Sequence, residues 1–242
     1  MTNDKRLMTN DQSIRNPSAE CFPAPWLADW WYQATYAACA TFFTLGYSLR
    51  IKGRQRIPRE GPVLLMSNHQ SYLDPPIVGL AAPRPLCYLA RKTLFRKPAF
   101  AWLIRSVNAV PIDQQGLGKE GLQAILRLLQ GGRAVLVFPE GHRTADGNFL
   151  DLQPGIHLLI KRAKVPVVPV GVAGGFAAWP RQRKWPRLAP LFLPPNDATL
   201  AVWVGQPLDG ARLAAQPREQ VLAELLGQMR HAYAQAERLR RR

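Results

Sequence analysis

The sequence predicts an α/β fold, with a largely parallel central sheet covered by helices and an N-terminal membrane-contacting helix in front of it. Three observations carry that expectation. From residue 62 onward, short apolar runs alternate with segments of helical periodicity, as strands joined by crossover helices do. At 242 residues and 47% hydrophobic content the chain fits one α/β domain with an appendage, and disorder is excluded for most of it. Residues 30–49 carry no charge, open on Trp30-Trp31-Tyr32, and are followed by Arg50, Lys52, Arg54 and Arg56.

Residues 1–22 are polar and mixed in charge, which predicts a mobile tail and no signal peptide. Residues 23–56 form the membrane-contacting helix and its basic flank. Length and missing charge allow residues 30–49 to span a bilayer, but Gln33, Thr35, Thr41, Thr44, Gly46 and Ser48 dilute the run. An interfacial helix suits it better, with a core helix as the remaining option. In either membrane setting the basic flank marks the cytoplasmic side.

The remaining elements follow in order. Residues 63–66 read as a strand, 75–81 as a short helix, 86–89 as a strand, 98–106 as a helix and 109–112 as a short strand. Residues 117–130 place Leu122, Ile125, Leu126 and Leu129 at helical spacing, and Gly131-Gly132 ends that helix. A strand over 134–138 runs into a polar loop, a helix covers 154–164, and a strand covers 165–170. Pro166 and Pro169 are tolerated in that last strand only near its ends or if it lies at an edge. Residues 179–195 are dense in Pro, Arg and Trp and predict an extended surface loop; 199–204 is a final strand. A helix from about residue 218 puts Val221, Leu222, Leu225, Met229, Ala232, Tyr233 and Ala236 on one stripe.

A formal charge of +16 predicts an anionic partner: nucleic acid, an anionic membrane or a phosphorylated substrate. Cys21, Cys39 and Cys87 are odd in number and lack metal-ligand spacing, so a reduced setting is expected and no metal site.

Chemistry concentrates in loops at strand ends, where open α/β sheets hold their ligands. The first is Asn68-His69-Gln70-Ser71-Tyr72-Leu73-Asp74, followed by Pro75-Pro76. Asp74 before proline reads as a helix N-cap. On a regular helix His69 and Asp74 would lie roughly 140° apart, so they meet only if the loop bends. Neutral imidazole can take a proton from a hydroxyl near neutral pH, and a carboxylate beside it fixes the tautomer. No Gly-x-Ser-x-Gly elbow supplies a nucleophile, so the nucleophile is expected to belong to the substrate. The second loop, Phe138-Pro139-Glu140-Gly141-His142-Arg143-Thr144, offers Glu140 to polyol hydroxyls and the Arg143 fork to a phosphate.

Taken together, these segments resemble the glycerolipid acyltransferase family typified by the bacterial 1-acylglycerol-3-phosphate acyltransferases. That family carries Asn-His-x4-Asp, Gly-x-Ile-Phe-Ile-Asp-Arg, Phe-Pro-Glu-Gly-Thr-Arg-Ser and a Val-Pro-Ile-x-Pro-Val strand, in this order. Residues 68–74, 108–114, 138–144 and 165–170 supply the counterparts, and the likeness covers about residues 45–210. It implies that residues 57–242 are an acyltransferase domain with His69 as general base and Asp74 as its partner. It further implies a substrate-binding set of Asn68, Ser71, Gln114, Glu140, Gly141, His142 and Arg143. The implied reaction moves a fatty acyl group from acyl-CoA or acyl carrier protein to a hydroxyl of a lysophospholipid-type acceptor, with no cofactor and no metal. The implied partners are the lipid acceptor, the acyl donor and an anionic membrane surface, with no nucleic acid. The implied location is the cytoplasmic face of the cell membrane, as a monotopic or membrane-associated protein.

One departure is informative. Gln114 stands where the family has an arginine, and Asn108 where it has a glycine. Glutamine cannot neutralise a phosphate, so the acceptor is expected to differ from lysophosphatidate: another lysophospholipid, an aminolipid or a glycolipid. Arg91, Lys92, Arg96, Arg105 and Arg143 are nearby sources of the lost charge. The competing readings are a non-catalytic basic protein that binds membranes or nucleic acid, and a hydrolase that uses water as acceptor.

Overall fold

The structure is a computed structural model that describes residues 25–112 and 118–242. The tail over residues 1–22, Cys21, Asp113 and Gln114 lie outside the described residues. The helices are α1 (Pro25–Tyr47), α2 (Asp74–Ala81), α3 (Pro98–Ser106), α4 (Lys119–Gln130), α5 (Gly155–Ala163), α6 (Gly175–Ala178), α7 (Gly210–Ala214) and α8 (Arg218–Arg240). The strands are β1 (Arg50–Lys52), β2 (Val63–Ser67), β3 (Leu86–Arg91), β4 (Ala109–Ile112), β5 (Ala134–Val137), β6 (Val167–Ala173) and β7 (Ala201–Val204).

The seven strands form one sheet in the order β1-β7-β6-β2-β5-β3-β4. Every neighbouring pair is parallel except β6 and β7, so the expected parallel, covered sheet is what the chain builds. β2, β5 and β6 are buried at every residue, because helices cover both faces of the sheet. One core layer joins α1 and α2 to the sheet through Phe43, Tyr47, Ile77 and Val78. The other joins α4, α5 and α8 through Ile125, Ile156, Leu159, Leu225 and Met229. The described part of residues 23–56 thus shares the core of residues 57–242.

The structure refines two expectations. The strand with Pro166 and Pro169 is not an edge: β6 is internal, between β2 and β7. Pro169 is tolerated in its middle because its missing N–H faces the point where β7 ends. Pairing with β7 starts at Val170↔Val204, and the Pro169 carbonyl accepts from Gly205 N at 2.8 Å. The basic flank is also partly structural. β1 is a short edge strand that periodicity cannot reveal in three residues, and Arg50 Nη1 donates to the carbonyls of Leu239 and Arg240 at the end of α8. Arg54 and Arg56 donate to the carbonyls of Ala82 and Val204.

Candidate active site

β2 ends at Ser67, and the loop that follows turns sharply enough to bring His69 back onto Asp74. His69 Nδ1 lies 2.9 Å from Asp74 Oδ2. The same carboxylate oxygen accepts the backbone N–H groups of Gln70 at 2.6 Å and Ser71 at 2.7 Å. Asp74 therefore does not cap α2 as expected. It is the first residue of that helix and turns its carboxylate backward into the loop, where the two N–H groups hold it. Pro75 and Pro76 have no N–H to satisfy, so the helix start loses little by this. Asp74 is 0% exposed, and its Oδ1 is buried without a hydrogen-bond partner among the described residues.

An acceptor carboxylate on Nδ1 assigns the ring proton to that nitrogen and leaves the lone pair on Nε2. The imidazole stacks on Phe138 with ring centroids 4.0 Å apart. Backbone contacts tie the two loops together: Thr144 N donates to the His69 carbonyl at 3.0 Å.

Asn68 and Ser71 shape this loop from within. The Asn68 carboxamide donates to Val172 O and accepts from Val172 N, at 2.9 and 2.8 Å, and so clamps the end of β2 to β6. Ser71 Oγ donates to the Trp179 carbonyl at 2.8 Å. Both side chains are buried. Glu140 is also turned inward, at 1% exposure. Oε1 accepts from His69 N at 3.3 Å and Oε2 from Leu150 N at 3.2 Å. Burial pushes its carboxyl up to about 7, against the pull of those two N–H groups, and the nearby Asp74 carboxylate adds to the rise. Gly141 turns the loop at φ 78°, in the left-handed region. His142 and Arg143 beyond it face the site, with the Arg143 guanidinium 3.4 Å from the centre of the Tyr72 ring. Its Nη1 is buried without a hydrogen-bond partner among the described residues.

His69, Gly141, His142 and Arg143 sit at one region of a cavity of about 710 Å³. Its walls are mostly apolar: Leu80 from α2, Leu86, Tyr88 and Leu89 from β3, Leu94, Phe100, Leu103 and Ile104 from the α3 region, and Leu136 from β5. α1 closes one side with Tyr32, Thr35, Tyr36 and Cys39, which makes the N-terminal helix part of the site. Burial pushes the Tyr32 phenol up to about 12 and raises that of Tyr88.

Sequence reasoning brought His69, Asp74 and the residue 138–144 loop to one place, and the structure joins them. Reasoning from the residues alone did not find Phe138 as the ring under His69, Tyr72 as the platform for Arg143, or the α1 and α3 walls. Gly175 was also missed. It starts the helix α6 directly after β6, against Asp74, and the Gly174-Gly175 pair at a strand end was its visible signal.

The sequence and the fold have counterparts in known proteins. The sequence model of the family described as Acyltransferase matches residues 48–173, just over half of the chain. A 1-acyl-sn-glycerol-3-phosphate acyltransferase of Bacillus subtilis is 25% identical over 195 residues, covering 78% of this chain and 90% of that protein. The enzyme of the same name from Streptococcus pneumoniae is 30% identical over 113 residues, 46% of this chain and 41% of that protein. The crystal structure of the 1-acyl-sn-glycerophosphate acyltransferase of Thermotoga maritima superposes with a TM-score of 0.70 at 22% identity, over 93% of this chain and 86% of that one, which is a likeness of fold. A non-catalytic basic binding protein is thereby set aside, and the chain belongs to the acyltransferase family.

Proposed function

We propose that this acyltransferase moves a fatty acyl group from a thioester donor, acyl-CoA or acyl carrier protein, to a hydroxyl of a membrane glycerolipid. The observation that carries the reading is the His69–Asp74 pair beside a large apolar cavity, because acyl transfer needs a base and a dry place for a hydrocarbon chain in the same site. The acyl chain lies along β3 and α1, with its carbonyl carbon near His69. Nε2 removes the proton of the acceptor hydroxyl as its oxygen attacks that carbon. The C–O bond forms, the C–S bond breaks, and the imidazolium returns the proton to the departing thiolate. Asp74 stabilises the imidazolium and holds its orientation. Alignment of the two substrates supplies much of the remaining acceleration.

The Arg143 fork beside Tyr72 is the charge that meets an acceptor headgroup. Gln114 in place of the family arginine favours an acceptor other than lysophosphatidate, with aminolipid and glycolipid acceptors as the alternative class. The enzyme works at the cytoplasmic face of the membrane. Among the described residues no helix is long and apolar enough to cross a bilayer. α1 instead buries Phe43 and Tyr47 in the core and leaves the uncharged stripe of Trp30, Thr41, Phe42 and Leu45 exposed, which suits interfacial contact.

The test is product formation from a labelled acyl thioester with a panel of lysophosphatidate, other lysophospholipids, lyso-aminolipids and lyso-glycolipids. A diacyl product that disappears in His69→Ala is expected. Free fatty acid as the dominant product would make the protein a hydrolase. A marked preference for lysophosphatidate would remove the inference from Gln114.

A further inference from the structure

The loop that follows the active site carries an apolar ridge for which neither catalysis nor the core accounts. Residues 188–193 read Leu-Ala-Pro-Leu-Phe-Leu, and only Ala189 of the six is buried. Phe192 is 82% exposed, and Leu188, Leu191 and Leu193 are each at least half exposed. A surface loop normally keeps such side chains apart or turns them inward. Here the backbone is fastened so that they cannot turn away. Ala189 N donates to the Gly46 carbonyl and Leu191 N to the Leu45 carbonyl, both at 2.9 Å, and Ser48 Oγ donates to the Ala189 carbonyl at 2.9 Å. These bonds satisfy carbonyls at the C-terminal end of α1 and set the ridge beside Phe42 and Leu45, which are themselves exposed.

The charge around the ridge selects its occupant. Residues 179–196 hold Arg181, Arg183, Lys184 and Arg187 and no carboxylate, and all four cations are exposed. Trp185 stands among them at 72% exposure, with Lys184 Nζ 5.8 Å from its ring centre. An apolar ridge that follows a tryptophan and four exposed cations is complementary to an anionic lipid surface, in which the ridge enters the acyl region and the cations meet headgroup phosphates. The loop leaves the active site at Trp179, whose ring lies 5.3 Å from that of Tyr72, so the ridge and the catalytic loop are joined by a short, hydrogen-bonded segment.

We infer that residues 185–193, together with the exposed end of α1, form an anionic-membrane docking ridge that seats the enzyme with its acceptor site against the lipid surface. The inference rests on the reading of the protein as a lipid acyltransferase, and it extends the membrane contact of the uncharged face of α1 onto residues 185–193. Phe192 and Leu193 line neither the cavity nor the His69 loop, so their replacement reports on docking alone.

The experiment compares the full chain with Phe192→Ser/Leu193→Ser and, independently, Phe42→Ser. Cosedimentation uses vesicles of phosphatidylcholine alone and of equal parts phosphatidylglycerol and phosphatidylcholine. Each variant is expected to bind the anionic vesicles about tenfold more weakly than the unmodified chain, with an unchanged unfolding midpoint. Turnover of acceptor dispersed in detergent should be unchanged in Phe192→Ser/Leu193→Ser. Unaltered binding to anionic vesicles by both variants overturns the proposal. So does an unmodified chain that sediments as a dimer and a variant that sediments as a monomer, since the ridge would then be a contact between copies. Loss of vesicle binding in the variants of a chain that transfers no acyl group in detergent would sustain the ridge and defeat the acyltransferase reading.

Discussion

Gly175 lies directly against the buried carboxylate of Asp74: a Cβ on its backbone would stand 2.8 Å from Oδ1 and 3.2 Å from the Ser71 Cβ. The end of β6 thus delivers a bare backbone to a place where the Asp74 carboxylate has no room to move. Gly175→Ala is expected to displace Asp74 or the loop that holds it. Turnover should fall about 10- to 100-fold, since catalysis is sensitive to shifts of an ångström, and stability by about 1–3 kcal/mol. Steady-state kinetics beside a denaturant titration separates the two effects.

Asp74→Asn asks what the charge contributes apart from the geometry. The carboxamide oxygen can still accept from Gln70 N, Ser71 N and His69 Nδ1, which leaves the NH2 group in the buried, partnerless position of Oδ1. The fold should survive at a cost of about 1–3 kcal/mol. Acyl transfer should drop by about 10²- to 10⁴-fold, the same range as His69→Ala, because the imidazolium loses its counter-charge. A single-turnover assay that finds near-normal rates in either variant would contradict the assigned roles.

Gly79 borders the cavity, and a Cβ there meets nothing within 4 Å. Gly79→Leu should therefore fold at least as well as the parent, with a more helix-favouring residue in α2. The added side chain takes space from the acyl chain. A loss of about two buried methylenes corresponds to roughly a tenfold fall in kcat/KM for long donors relative to short ones. Competition between donors of different length measures that ratio directly.

Glu140 gives the protein a pH signature. Its carboxyl is raised from 4.5 to about 7 by burial, so between these values the folded state holds a proton that the unfolded state has released. Stability from this group is full below the unfolded value and declines as pH rises through the folded one, by on the order of 3 kcal/mol in total. Glu140→Gln should flatten that descent, as read from unfolding free energies at steps between pH 5 and 8. An identical slope in parent and variant would place the titration elsewhere.

Most of the strands and the turn between His69 and Asp74 were legible in the sequence, because both rest on local signals. Apolar runs of four or five residues separated by glycine and proline define strands, and the spacing in Asn68-His69-x4-Asp74 limits which loop can close. The alternation of strands and helices was enough to predict a largely parallel sheet. It was not enough to order the strands: the internal place of β6 depends on β1 and β7, which are short and far apart in the chain.

Packing, which no local signal carries, sets which polar side chains are buried in the loops and which line the cavity. Asn68, Ser71 and Glu140 stand in the sequence as polar residues in the loops around His69, yet each is buried and bonded to backbone groups of other segments. Arg50, Arg54 and Arg56 read as a membrane flank, and the fold adds that they donate to carbonyls of α8, of the residue after α2 and of β7. A sequence shows that a group can form a hydrogen bond. Its partner is set by chain segments tens to hundreds of residues away, and only packing brings them together.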